Sequence, residues 1–282
     1  MAIKHTAVSY YGLNYVEHAE KDFIEMKEHG CDTVILAFTE FDMDFWFPNI
    51  NNIVKTAHKV GLRCIADTWG IGKYFGGEQV SLFLQNNIHH RQVSAYTGEV
   101  LNAACFNTNS FRDYFTNICL KLARETEVDG FFWDEPHYAY PKAYASITGG
   151  AGDDWACRCP ECMKKFEDYY GYEMPKFMND DVKQFRWREA LKTLADCSKA
   201  LKEYNPNLEI TCCVHATKNT YYVTELRGVR GTYATNQIKA IAMLQSDKTT
   251  NTKKAALELS SIIKELTGVE LLIEYYNNLR YT

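Results

Sequence analysis

Asp129-Gly130-Phe131-Phe132-Trp133-Asp134-Glu135-Pro136-His137 is an apolar, strand-forming run that ends in two adjacent carboxylates. Pro136 has no amide hydrogen to donate and stops the strand there. Strands that read as nearly continuous hydrophobic are those buried on both faces of a parallel sheet. Acids placed where such a strand surfaces at its carboxyl end sit on the face where barrel enzymes keep their chemistry. Glu135 is therefore the candidate general acid/base, with Asp134 as its companion.

Similar runs recur at Thr6–Tyr11, Thr33–Phe38, Arg63–Asp67, Glu209–Val214, Ala240–Leu244 and Glu270–Ile273. Helical patterns separate them. Tyr15–His29 carries Ala19, Phe23 and Met26 on one face and ends at Gly30, Ile50–Val60 ends at Gly61, and Asn109–Thr126, Asp181–Tyr204 and Thr252–Thr267 follow. This alternation predicts an α/β fold, a TIM-type (β/α)8 barrel in one domain over residues 1–282, with no Ser/Gly/Pro linker to divide it. Seven candidate strands are recognised, and only nine residues follow Ile273. An incomplete barrel, a further strand and a chain that is a fragment are the open alternatives. Residues 68–107 and 135–180 are far longer than usual connections of about 2–6 residues, and both follow carboxyl ends of strands, so both would cover one face.

With 46% hydrophobic and 24% charged residues the chain can bury one large core, and a net charge of −5 argues against a nucleic-acid partner. The 19 Tyr and 5 Trp suit a cleft that stacks on sugar rings as well as a core. No apolar stretch is long enough to span a membrane and no secretion signal opens the chain, so the cytoplasm is the expected compartment. Self-association into a homo-oligomer is left open.

Ten cysteines without a secretion signal point to reduced thiols or a metal. Cys157-Arg158-Cys159-Pro160-Glu161-Cys162 offers three thiolates on one tight turn, and zinc takes four soft ligands at tetrahedral corners. Cys105, in the other long loop, is the expected fourth. Such a structural zinc would pin the two insertions together, and four thiolates leave it no open position for water. Cys31, Cys64, Cys119, Cys197, Cys212 and Cys213 fall within strand or helix patterns and read as core.

Two segments carry a resemblance. Gly98-Glu99-Val100-Leu101-Asn102-Ala103-Ala104-Cys105-Phe106-Asn107, followed by Phe111-Arg112-Asp113-Tyr114, resembles the segment preceding the fourth strand of family 42 β-galactosidases. The run from Cys157 to Cys162, with Phe166 and then Tyr169-Tyr170-Gly171, resembles a later segment of the same family. The order Cys105, Glu135, then Cys157, Cys159 and Cys162 is the most specific part of a likeness over residues 60–175. It implies a retaining glycosidase of the (β/α)8 clan with a structural zinc on these four cysteines. The acid/base would be Glu135 after the fourth strand, and the nucleophile Glu274 ending the seventh. The clan carries Asn where this chain has Asp134; an ionised Asp accepts but cannot donate. An Asp-Glu pair is similar to the substrate-assisted hexosaminidases, whose Asp orients an acetamido group.

Retaining chemistry needs carboxyls about 5–5.5 Å apart and inverting chemistry about 6.5–9.5 Å. Alternation sends adjacent strand residues to opposite faces, so Asp134 and Glu135 share a cleft only if the chain bends after the strand. Asp67 and Trp69 after the third strand, Tyr10, His137 and Asp247 are the further candidates for binding a carbohydrate substrate. Glu40 and Asp42 could do the same, although such acids are more often helix caps. The rival from another class is a carbohydrate-binding barrel without catalysis, because fold alone does not fix function.

Overall fold

The computed structural model describes residues 6–11, 15–73, 80–134, 136–139, 141, 154–215, 239–245 and 272–276, the last two segments and 213–215 as backbone only. Among the described residues seven strands form one parallel sheet: β1 (Ala7–Tyr10), β2 (Thr33–Ala37), β3 (Arg63–Asp67), β6 (Gly130–Trp133), β7 (Glu209–His215), β8 (Lys239–Gln245) and β9 (Leu272–Tyr276), hydrogen-bonded in that order. The insertion after β3 contributes a separate antiparallel pair, β4 (Arg91–Val93) and β5 (Val100–Ala104). Helices α1 (Val16–Glu28), α3 (Phe47–Val60), α5 (Asn109–Glu125) and α7 (Asp180–Tyr204) connect consecutive parallel strands. Shorter helices α2 (Glu40–Phe45), α4 (Leu82–Asn86) and α6 (Pro160–Tyr170) lie in the loops after carboxyl ends.

The expected α/β class and parallel sheet are present. The described residues show no β9–β1 pairing that would close the sheet into a barrel. Glu274 is two residues inside β9, because that strand runs later than the apolar run Glu270–Ile273 indicates. The predicted helix Thr252–Thr267 lies outside the described residues.

The sheet has two unlike faces. The main core sits between sheet and helices, where Phe131 and Trp133 of β6 pack with Phe111, Phe115 and Cys119 of α5 and Leu194 and Cys197 of α7. Trp133 is fully buried, and its indole N–H donates to Ser198 Oγ on α7 at 3.4 Å. The other face holds a small cluster, Ile35, Ile65 and Phe132, one residue from each of three adjacent strands. Alternation along a strand then gives Asp67 and Asp134 the parity of this inner face. β6 approaches β7 so closely that any Cβ at Gly130 would collide with the Glu209 carbonyl, which accounts for the glycine opening the strand.

Candidate functional site

The four cysteines singled out from the sequence converge. The Sγ atoms of Cys105, Cys157, Cys159 and Cys162 all lie within 4.8 Å of one another, and all four residues are buried. Local structure explains how. After β5 the chain reaches Cys105, whose amide donates to the His90 carbonyl at 2.7 Å. Residues 155–158 run alongside β4, with Ala95 N donating to Trp155 O at 2.9 Å and Arg158 N to Val93 O at 2.8 Å. That pairing carries Cys157 to the hairpin. Cys159 is the N-cap of α6, Pro160 opens the helix, and Cys162 lies in its first turn, so the amide end of the helix faces the sulfurs.

These residues fit a zinc ion. A tetrahedral centre with Zn–S near 2.3 Å places its sulfurs roughly 3.8 Å apart. Cys105 Sγ stands 3.5 Å from both Cys162 Sγ and Cys159 Sγ. Two sulfurs already accept N–H bonds, Cys162 from Asn107 Nδ2 at 3.2 Å and Cys157 from Val93 N at 3.4 Å, as ligating thiolates do. Hydrogen bonds from Cys105, Cys157 and Cys162 hold the Cys159 thiol far below the usual thiol range, while contacts with Cys105, Cys157 and Cys159 push Cys162 up. The other five cysteines with described side chains, Cys31, Cys64, Cys119, Cys197 and Cys212, are buried and form no disulfide.

Two buried carboxylates hold the same insertion: Glu40, which the sequence offered as a sugar-binding acid or helix cap, and Asp154, which it did not single out. Glu40, only 2% exposed, accepts from Gly72 N and Ser81 Oγ through Oε1 and from Phe83 N through Oε2, each at 2.7 Å. Asp154 accepts from Ser94 Oγ at 2.7 Å and from the amides of Tyr96 and Trp155 at 2.9 Å. Asp42 closes a capping box with Thr39. Glu40 is thus a fastening of residues 72–83. Glu40→Ala is expected to strip three buried donors of their acceptor, each costing about 1–3 kcal/mol, for a loss of roughly 3–9 kcal/mol. A urea unfolding curve of the variant beside the parent measures it.

At the carboxyl ends of the strands, Asp67 is buried and Asp134 half-buried. Trp69 and Tyr11 form an edge-to-face pair, ring centroids 5.3 Å apart, that joins the loops after β1 and β3. Tyr11 is 53% exposed and was not among the residues the sequence suggested. Tyr10 instead has the opposite parity: its hydroxyl donates to Asp22 Oδ2 on α1 at 2.7 Å and its ring packs edge-on to Phe23. Burial and this bond to Asp22 push the Tyr10 phenol well up. His137 Nδ1 donates to the Tyr138 carbonyl at 2.7 Å. Register pairs Phe132 with Thr211, Thr211 with Lys239, His215 with Met243 and Met243 with Glu274, so Glu274 has the parity of Phe132. Glu135 and Asp247 lie outside the described residues.

No family model matches the chain, and no curated protein matches it. Solved structures do. The β-galactosidase of Rahnella sp. R3 superposes with a TM-score of 0.66 at 14% identity, over 99% of this chain and 46% of that one. The glycoside hydrolase domain of PgaB (BpsB) from Bordetella bronchiseptica gives 0.62 at 12% identity, over 96% of this chain and 84% of that domain. An exo-β-N-acetylglucosaminidase from Vibrio harveyi, solved with N-acetylglucosamine, gives 0.55 at 8% identity, over 96% and 41%. The chain thus spans less than half the length of the β-galactosidase. At these identities the likeness shows the fold alone, an α/β fold with a parallel sheet shared with these glycoside hydrolases. Among the described residues no helix is long and apolar enough to cross a membrane.

Proposed function

We propose that this chain is a glycoside hydrolase domain acting on a carbohydrate substrate, with Glu135 as general acid/base and a structural zinc on Cys105, Cys157, Cys159 and Cys162. One observation carries the reading: the Asp134-Glu135 pair directly follows β6, the fourth of seven parallel strands, in a fold shared with glycoside hydrolases. Glu274, on the seventh strand of that order, is the proposed nucleophile. Glu135 would protonate the leaving oxygen while the Glu274 carboxylate attacks the anomeric carbon, and Glu135 would then deprotonate the water that releases the sugar. Asp67, Trp69, His137 and Asp247 would hold sugar hydroxyls and a ring face, with Tyr11 beside Trp69. The ring and hydroxyl of Tyr10 are engaged by α1, which argues for Tyr11 in its place.

The acid before Glu135 favours a second form of the same chemistry. A substrate bearing an acetamido group could supply its own nucleophile, with Asp134 orienting that group, and Asp134 has the inner-face parity this needs. A panel of aryl glycosides, including aryl N-acetylhexosaminides, is expected to reveal hydrolysis of at least one member. Sugar binding by calorimetry without hydrolysis of any would establish the non-catalytic reading instead. Residence in the cytoplasm and assembly into a homo-oligomer are further parts of the proposal, checked by fractionation and by light scattering.

A further inference from the structure

The chain that leaves β6 is clasped by the neighbours of the metal ligands. Tyr138 is 1% exposed, and its ring packs edge-on against Phe106, the residue after Cys105, with centroids 4.5 Å apart. Its hydroxyl donates to the Arg186 carbonyl on α7 at 2.8 Å, and the Arg186 guanidinium lies 4.4 Å over the same ring. Arg186 Nε in turn donates to the carbonyl of Ala156, the residue before Cys157, at 2.7 Å. Gln92, fully buried, completes the clasp: its Oε1 accepts from Ala139 N at 2.9 Å while its Nε2 donates to the carbonyl of Ala104, the residue before Cys105, at 3.0 Å. Residues 138 and 139 are therefore held by the flanks of two metal ligands, Cys105 and Cys157, that come from different insertions.

We infer that Tyr138 and Gln92 are positioning residues through which the four-cysteine centre sets the path of the chain immediately after Glu135. The inference deepens the reading of Glu135 as acid/base and rests on it for its catalytic meaning. Adjacent packed groups and hydrogen bonds transmit displacement because interiors are close-packed and do not deform gradually. If Cys105 and Cys157 separate, Gln92 and Arg186 cannot both keep their carbonyl partners and residues 138–139.

Amide hydrogen exchange of the whole chain, zinc-loaded and after removal of zinc by chelator, tests this without reference to activity. In the zinc-free protein, the amides of residues 137–139, of which Ala139 N donates to Gln92, are expected to accelerate at least tenfold more than those of α1 and β2. Zinc-loaded Tyr138→Leu is expected to show the same excess acceleration in 137–139 with zinc still bound and residues 100–107 still protected. Tyr138→Phe keeps the ring against Phe106 and Arg186 and is expected to restore most of that protection. Acceleration in 137–139 no greater than in α1 and β2 on zinc removal would overturn the inference. So would a Tyr138→Leu variant that loosens residues 100–107 as much as 137–139, because the ring would then be general packing. Failure here leaves the acid/base role of Glu135 standing, and an active Glu135→Gln enzyme would leave the coupling standing.

Discussion

Glu135→Gln is expected to lower turnover of a glycoside with a poor leaving group by about 10²–10⁴-fold, the usual worth of a positioned general acid. The substitution changes one oxygen for an amide of nearly the same shape, so zinc content and thermal midpoint should match the parent. The size of the loss should depend on the leaving group. A dinitrophenolate departs without a proton, whereas an alkoxide or a sugar needs one, so the variant should lose far less in kcat/KM, which reports the first step, on the activated substrate. The pH profile supplies an independent check. A general acid works only while protonated, so activity in the parent falls as pH rises through its pKa, and Gln cannot lose that proton. The alkaline limb of the profile should vanish in Glu135→Gln. Equal rates for variant and parent on an alkyl glycoside would remove Glu135 from the mechanism.

The outline of the fold was legible because buried parallel strands write themselves as apolar runs. Thr33–Ala37, Arg63–Asp67 and Gly130–Trp133 all stand where their runs predicted. Among the elements missed, α2, α4 and the β4–β5 hairpin are short and half exposed, with Val100 56% exposed and Leu101 only 4%, while α6, 11 residues long, follows directly on the cysteine turn inside a stretch that reads as one long loop. The helix predicted from Ile50 begins at Phe47, since Pro48 is suited to a first turn and the apolar stripe extends before Ile50. The Asp67 and Trp69 positions followed from strand ends, whereas naming Tyr10 takes no account of strand parity, which sets its ring against α1 and leaves Tyr11 exposed.

Chemistry was legible in proportion to how rare it is. Four cysteines that meet are recognisable because few other residue sets make a thiolate cage, and Cys105 could be picked out although its partners lie more than fifty positions away. Glu40 and Asp154 were not recognisable as fastenings. A carboxylate in a polar loop has the same appearance whether solvated or wrapped by backbone amides, and only the fold reveals that Gly72, Ser81 and Phe83 all point their donors at Glu40.

Removal of the metal is expected to be the largest stability effect in the molecule. Protein expressed with zinc and purified without chelator should carry about one equivalent per chain, as four sulfur ligands in one tetrahedral set imply. Structural zinc binding is worth about 10–16 kcal/mol in small zinc domains at neutral pH. If even 5 kcal/mol of that is coupled to folding here, a domain of this size loses roughly 10–20 °C from its Tm. Cys162→Ala removes the ligand that also accepts from Asn107, and should both abolish stoichiometric zinc and reproduce the chelator's effect on Tm. The contrasting outcome is as clear. Four thiols that merely fill a core would make Cys162→Ala a small cavity mutation costing about 1–2 kcal/mol, with Tm indifferent to chelator. The geometry argues against that outcome. Cys157 and Cys162 already receive amide hydrogens, and the Cys105 sulfur stands 3.5 Å from those of Cys159 and Cys162, close to the roughly 3.8 Å of a tetrahedral set. Thiols packed as hydrophobes have no reason to gather donors or to converge from both insertions on one point.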